Sequence, residues 1–339
     1  MKIVVHGTNW IGDAVMTIPA LRKLRSIFPD AHITLHSRPW AKGIFRDCDF
    51  VDELSIPERG GLISESALWR RRRFDLAVLF TSSFRTALIA KLAGVPKRIG
   101  YATEGRRFLL NEACRMPAWK NTRHEVYFYL NLVSETEKRI IGRETPDTEN
   151  IETELAVGPE RRRAARELLG RSGADLSMPL IGFGVGSQNS KAKRWPPGNF
   201  AQLGDFLKKK YQGSIVLLGS ENEQVAAAEV SAGSEEPPIN LTGGTTLDDA
   251  VAVLAELDLF VSNDMGLAHV AAAVGTATMT IFGPTNPLTT RPWNGEIVRR
   301  EDVECSPCML RACPIDHRCM TRIKAEDVFS EISAILASK

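Results

Sequence analysis

The sequence has almost no surplus of charge of either sign: Lys plus Arg number 43 against 41 for Asp plus Glu, a net of +2. A dedicated nucleic-acid binder carries a marked basic excess, so nucleic acid is excluded as the principal partner and anion binding is left to local patches. A secretory leader is also missing. Met1 to His6 runs directly into the strand-like Ile3, Val4 and Val5, without a basic stretch, apolar core and cleavage site, which predicts a cytoplasmic protein. No Gly-rich loop closes with GK[ST], and none has the third glycine of GxGxxG, which sets aside the P-loop and the simple dinucleotide fingerprint. There is no internal repeat. One charge-free stretch, Met265 to Thr290, has about the length of a membrane span. Gly266, Gly275, Gly283, Pro284 and Pro287 cut it into pieces suited to a buried helix and strand. With 43% hydrophobic and 25% charged residues over 339 positions, disorder is not expected and two domains of ordinary size are.

What is present is βα alternation, twice over. In the first half, strands are expected at Lys2–His6, His32–Ser37, Leu76–Thr81 and Arg98–Ile99, with helices near Ala14–Ile27, Thr86–Ala93 and Glu125–Ile140. The polar, breaker-rich run from Gly142 to Pro159 then separates the halves, and the domains are drawn as 1–155 and 156–339. In the second half, strands are expected at Leu180–Phe183, Ile215–Leu218, Leu259–Ser262 and Thr278–Phe282. Helices are expected near Asn199–Lys210, Glu221–Ala232, Leu247–Leu257 and Gly266–Val274. Runs such as IVLLG and LFVS lack polar alternation, as parallel strands covered on both faces do. The fold class expected is α/β, with two Rossmann-like, doubly wound domains facing each other across a cleft.

Three segments carry chemistry. In GTNWIGDAVMTIPAL, Gly7 to Gly12 reads as a loop after the first strand, with Asp13 where loop becomes helix. Asp13 either serves its own helix start or faces the cleft; Trp10 and Ile11 beside it favour the second, since apolar surroundings raise a carboxylate toward general-base values. In GFGVGSQNSKAKRWP, Gly184 and Gly186 allow close backbone approach, Ser187 and Gln188 offer hydrogen bonds, and Lys191, Lys193 and Arg194 add positive charge suited to a diphosphate. Glu221 and Glu223 of LLGSENE reach the same edge, where one could accept hydrogen bonds from a ribose. In SNDMGLAHVAAAVGTATMTIFGP, Asp264, Gly266 and His269 stand at the turn into a small-residue helix. Its N-terminal amides and dipole suit an anion. His269 faces that ligand or fills the core.

These three segments resemble the ADP-heptose:lipopolysaccharide heptosyltransferases of glycosyltransferase family 9, most of all the heptosyltransferase II branch. The resemblance implies a GT-B architecture, with acceptor bound mainly by the first domain and nucleotide-sugar by the second, and inversion at the anomeric centre without a metal or other required cofactor. It implies that Asp13 is the catalytic base and that Lys193 holds the donor phosphates. Gly186, Ser187, Gln188, Glu221, Glu223, Asp264, Gly266 and His269 would complete the donor site. The partners implied are ADP-heptose and a lipid A-linked inner-core oligosaccharide, met at the cytoplasmic face of the inner membrane. Trp10, Gly12, Arg70 and Arg98 are the candidate acceptor contacts.

The basic residues Arg70 to Arg73, Lys97, Arg98, Arg106 and Arg107 suit an acidic acceptor or an anionic membrane surface; a solvated helix end accounts equally for the first four. The D-x-D triplet Asp47-Cys48-Asp49 reads as a solvated turn. Cys305, Cys308, Cys313 and Cys319, spaced C-x2-C-x4-C-x5-C, are compatible with reduced thiols, a structural zinc or a redox centre. Two readings of other classes stand beside the transferase: a non-catalytic nucleotide-sugar binding protein and a nucleotide-sugar epimerase.

Overall fold

The computed structural model describes residues 1–57, 61–145, 151–188 and 190–337. The chain divides into two compact units, Met1–Thr153 and Glu154–Lys339. Each holds one six-stranded sheet in which every pairing is parallel.

The first sheet contains β1 (Lys2–His6), β2 (His32–His36), β3 (Glu53–Ser55), β4 (Leu76–Leu79), β5 (Lys97–Tyr101) and β6 (Glu112–Cys114), in the order β3-β2-β1-β4-β5-β6. Chain direction along the sheet reverses between β1 and β4, so the loops leaving their carboxyl ends flank the notch where doubly wound sheets bind ligands. Ile3, Val4 and Val5 of β1 and all of β4 are buried, which explains their unbroken apolar runs. The helix expected over Ala14–Ile27 is two helices, Ile11–Met16 and Ile18–Ile27. Pro19 lacks the N–H that a continuous helix would use, and the Thr17 hydroxyl donates to Ala14 O at 2.6 Å, closing the first helix. Because that first helix begins at Ile11, Gly12 and Asp13 belong to it rather than to the loop. The helix Ala41–Phe45 was not expected, and Gly61–Arg72 supplies the helix end that was one of the two readings of Arg70 to Arg73.

The second sheet contains β7 (Leu180–Gly184), β8 (Ser214–Leu217), β9 (Ile239–Asn240), β10 (Leu259–Asn263), β11 (Ala277–Ile281) and β12 (Glu296–Val298), in the order β12-β11-β10-β7-β8-β9. The pattern repeats the first sheet, and its notch lies between β7 and β10. Its core gathers Phe183, Trp195, Phe200, Leu217 and Val261. An unexpected helix, Pro159–Arg171, covers this unit through a stripe of Ala165 and Leu169 beneath exposed arginines. The helix expected over Glu221–Ala232 opens as a 3-10 turn, Glu221–Glu223, before the α-helix Gln224–Gly233. The charge-free run folds as a helix, Gly266–Ala273, and strand β11, and no described helix is long and apolar enough to cross a membrane.

Candidate functional site

In the first unit the chain leaves β1 at His6 and turns through Gly7, whose N–H donates to His36 O at 2.9 Å. A Cβ on Gly7 would stand 2.8 Å from Ser37 Oγ, so this close approach of neighbouring loops requires glycine. The following helix carries Asp13 in its first turn, half-buried. Tyr129, on the helix Glu125–Ile140, donates its hydroxyl to Asp13 Oδ1 at 3.3 Å. Burial first, and then the Asp13 charge, push the Tyr129 hydroxyl well above its ordinary value, so it remains a proton-bearing donor at neutral pH. Trp10 is half exposed beside this helix start. Beneath the loop, His6, His36 and Trp69 pack as a ring cluster, with the His6 and His36 centroids 5.7 Å apart.

Arg70 and Arg98 do not join Asp13. Arg70 ends a helix that leads into the amino end of β4, and its guanidinium bonds Leu92 O. Arg98 is the second residue of β5, and donates to Leu109 O at 2.8 Å and Val95 O at 2.6 Å. Both lie toward the amino edge of the sheet, whereas Trp10, Gly12 and Asp13 follow its carboxyl edge. Arg106 corrects the reading of a basic surface: it is fully buried, and it donates to the carbonyls of Tyr101 (2.8 Å), Thr81 (2.6 Å) and Ser83 (3.1 Å). It ties together the loops after β4 and β5.

In the second unit the carboxyl ends of β7 and β10 are joined by one side chain that sequence reasoning passed over. Asn263, fully buried, donates through Nδ2 to Val185 O at 2.8 Å and Gly186 O at 3.2 Å, and accepts from Trp195 N–H at 2.9 Å. Trp195 is itself buried, with its indole N–H on Ile323 O at 2.9 Å and its ring edge-on to Phe200. That anchor fixes the turn Lys191–Lys193 just before it. Lys193 Nζ then lies 2.7 Å from Asp264 Oδ2, and Thr285 Oγ1 donates to the same carboxylate oxygen at 2.7 Å. Gly266 opens the helix that follows, and His269 is buried on it. Ser187 is buried and Gln188 exposed in the loop after β7.

The two glutamates part company. Glu221 is exposed, whereas Glu223 is buried and closes a capping box, its Oε2 accepting from Ser220 N at 2.7 Å and from Ser220 Oγ at 3.1 Å. A Cβ on Gly186 would stand 1.9 Å from Glu223 Oε1, so the glycine exists to seat this carboxylate as much as to admit a ligand. The cap holds Glu223 through Oε2, so this glutamate has a structural role at the helix start. The four clustered cysteines are free thiols, and burial pushes the Cys319 thiol up to about 11. Among the described residues no three His, Cys, Asp or Glu side chains are grouped to hold a metal ion, so the structure offers no ligand set for the zinc considered at Cys305, Cys308, Cys313 and Cys319.

A lysine paired with a carboxylate thus stands at a helix start, in the notch between β7 and β10. A sequence profile of glycosyltransferase family 9 (heptosyltransferase) matches residues 67–318. The chain belongs to that family. Among its relatives, lipopolysaccharide heptosyltransferase 2 of Escherichia coli strain K12 is 31% identical over 86% of this chain and 85% of its own. Lipooligosaccharide heptosyltransferase 2 of Haemophilus ducreyi is 27% identical over 99% of this chain and 100% of its own. The solved structure of E. coli ADP-heptose lps heptosyltransferase II superimposes with a TM-score of 0.86 at 28% identity, covering 100% and 99% of the two chains. This chain is accordingly a heptosyltransferase with the fold of that structure, and neither the binding-protein nor the epimerase reading is favoured.

Proposed function

We propose that this heptosyltransferase moves heptose from ADP-heptose to the inner core of lipopolysaccharide, onto an acceptor that already carries a first heptose. The observation that carries the donor half is the Lys193–Asp264 pair at the amino end of the helix Gly266–Ala273, where a diphosphate would meet an ammonium group and the positive end of the helix dipole. Support for the sugar comes from relatives that are heptosyltransferase 2 enzymes, one of them the solved ADP-heptose lps heptosyltransferase II of E. coli.

In this reading the second unit holds the donor and the first holds the acceptor. Asp13 takes the proton of the acceptor hydroxyl as that oxygen attacks the anomeric carbon from the face opposite the diphosphate, inverting the centre. The C–O bond to the diphosphate breaks, and Lys193 with the helix amides stabilises the charge that departs on ADP. Tyr129 orients the Asp13 carboxylate. General-base help contributes roughly 10²–10⁴ in rate, and each preorganised donor to the leaving anion about 3 kcal/mol. The reaction calls on no cofactor. The acceptor is lipid-linked, so the enzyme works at the cytoplasmic face of the inner membrane, with Trp10 and Gly12 on the acceptor side.

Asp13→Asn is the test. Calorimetry with ADP should give wild-type affinity, while acceptor-dependent ADP release falls by roughly 10²–10⁴. Undiminished turnover removes Asp13 from the role of base, and donor converted to its epimer without acceptor would return the epimerase reading.

A further inference from the structure

We propose that the segment from Cys305 to Cys319 is a strap that sets the position of Lys193, with His317 as its positioning residue. The inference rests on the donor-binding role given to Lys193 above and extends it to a motif that the reaction leaves unused. Lys191–Lys193 is a single 3-10 turn, too short to hold its own geometry. Its outer side is tied to the cysteine-rich segment by three hydrogen bonds. Ala192 N–H donates to Arg311 O at 3.1 Å, and Ser190 Oγ donates to the same carbonyl at 3.2 Å. His317 Nε2 lies 2.5 Å from Ala192 O, a contact that fixes the proton on Nε2 as donor.

The other end of the strap is fastened to the loop after β11. Ser306 Oγ donates to Gly283 O at 2.6 Å, and Met309 N–H donates to Pro284 O at 2.8 Å. Cys319 Sγ lies 3.1 Å from where a Cβ on Gly283 would stand, so this thiol packs against the glycine. Thr285, the residue after Pro284, is the one whose hydroxyl holds Asp264. One segment therefore touches the neighbours of both members of the Lys193–Asp264 pair, and its movement would shift ammonium and carboxylate together. His317 sits in the left-handed region at φ +57°, a conformation that favours glycine or asparagine, which argues that its ring is kept for the contact it makes.

The test compares His317→Leu, which keeps bulk and loses the N–H, with His317→Gln, which restores a donor at similar reach; both carry the same backbone cost at this φ. ADP affinity by calorimetry should fall about five- to tenfold in His317→Leu and recover most of that in His317→Gln. The KM for donor should rise in step while kcat changes less. Ser306→Ala, which loosens only the far fastening, should weaken ADP two- to threefold, an estimate of about half a hydrogen bond's worth, and it carries the test if His317→Leu does not fold. Wild-type ADP affinity in folded His317→Leu, or in Ser306→Ala, overturns the strap, as does a Gln variant no better than Leu. Failure of the donor-site reading looks different: the wild-type protein would then show no ADP binding to modulate, or Lys193→Ala would bind ADP as tightly as the wild type.

Discussion

Lys193 Nζ and Thr285 Oγ1 both reach Asp264 Oδ2, each at 2.7 Å. The ammonium is therefore held on a carboxylate that is itself held by a hydroxyl, and a diphosphate arriving at the helix start would share the lysine rather than recruit it from solvent. Preorganisation of this kind lowers the reorganisation required when charge develops on a leaving group.

Lys193→Ala should lower turnover on the order of 100-fold, equivalent to about 3 kcal/mol, and weaken ADP binding in parallel. Thr285→Val removes one hydrogen bond to Asp264 and should cost only about 1 kcal/mol, near fivefold in donor KM. Equal effects of the two substitutions would show that Thr285 does more than orient the carboxylate.

Asn263→Ala strands the Trp195 N–H and the carbonyls of Val185 and Gly186 in a buried place, and should destabilise the protein by about 2–4 kcal/mol in a urea melt. Asn263→Asp keeps the acceptor for Trp195 but turns an oxygen onto the two carbonyls. It should be no better than Ala, which a melt of both variants checks.

Gly186→Ala drives a methyl group into Glu223, and should cost about 1–3 kcal/mol. Removing the obstacle with Glu223→Ala should shrink that cost, giving a coupling of about 1 kcal/mol or more in a double-mutant cycle. Additivity would mean that the backbone at 186 resists a side chain for another reason.

Burial holds His6 down to about 3, aided by the charge of His36, and holds His36 down to about 4, aided by Arg72 and Arg85. In the unfolded chain both titrate near 6.5. Below that pH the unfolded state binds protons that the folded state refuses, so stability should fall as pH drops from about 6.5 toward 4, by on the order of 3 kcal/mol for His36 alone. Thermal melts across this range should flatten in His36→Asn; an unchanged slope would assign the acid sensitivity elsewhere.

The inner strands β1, β2, β4, β5, β7, β8, β10 and β11 all appear in the sequence reading, most of them as apolar runs buried on both faces; β5, KRIGY, shows only its buried Ile99. The four that did not, β3, β6, β9 and β12, are the edge strands of the two sheets, two or three residues each. Such segments carry no periodicity, and edges are kept short. The site divides in the same way. Asp13, Lys193 and Asp264 were legible because each follows a strand within a recognisable motif. Tyr129 was not, being 116 residues from the carboxylate it meets, and Asn263 was hidden by its role, which is to join main-chain atoms rather than to touch a ligand. Arg98 and Arg106 misled because composition reports charge without reporting what the guanidinium bonds.

Much of the hold on the Lys193 turn comes from the carbonyl of Arg311, an atom that every residue type supplies. Most residues between Cys308 and Cys319 are thus free to drift over evolutionary time, or to be rewritten by an engineer seeking a different surface there, provided the path of the chain is kept. His317 is the exception, and a library randomised across this stretch should return it far more often than its neighbours.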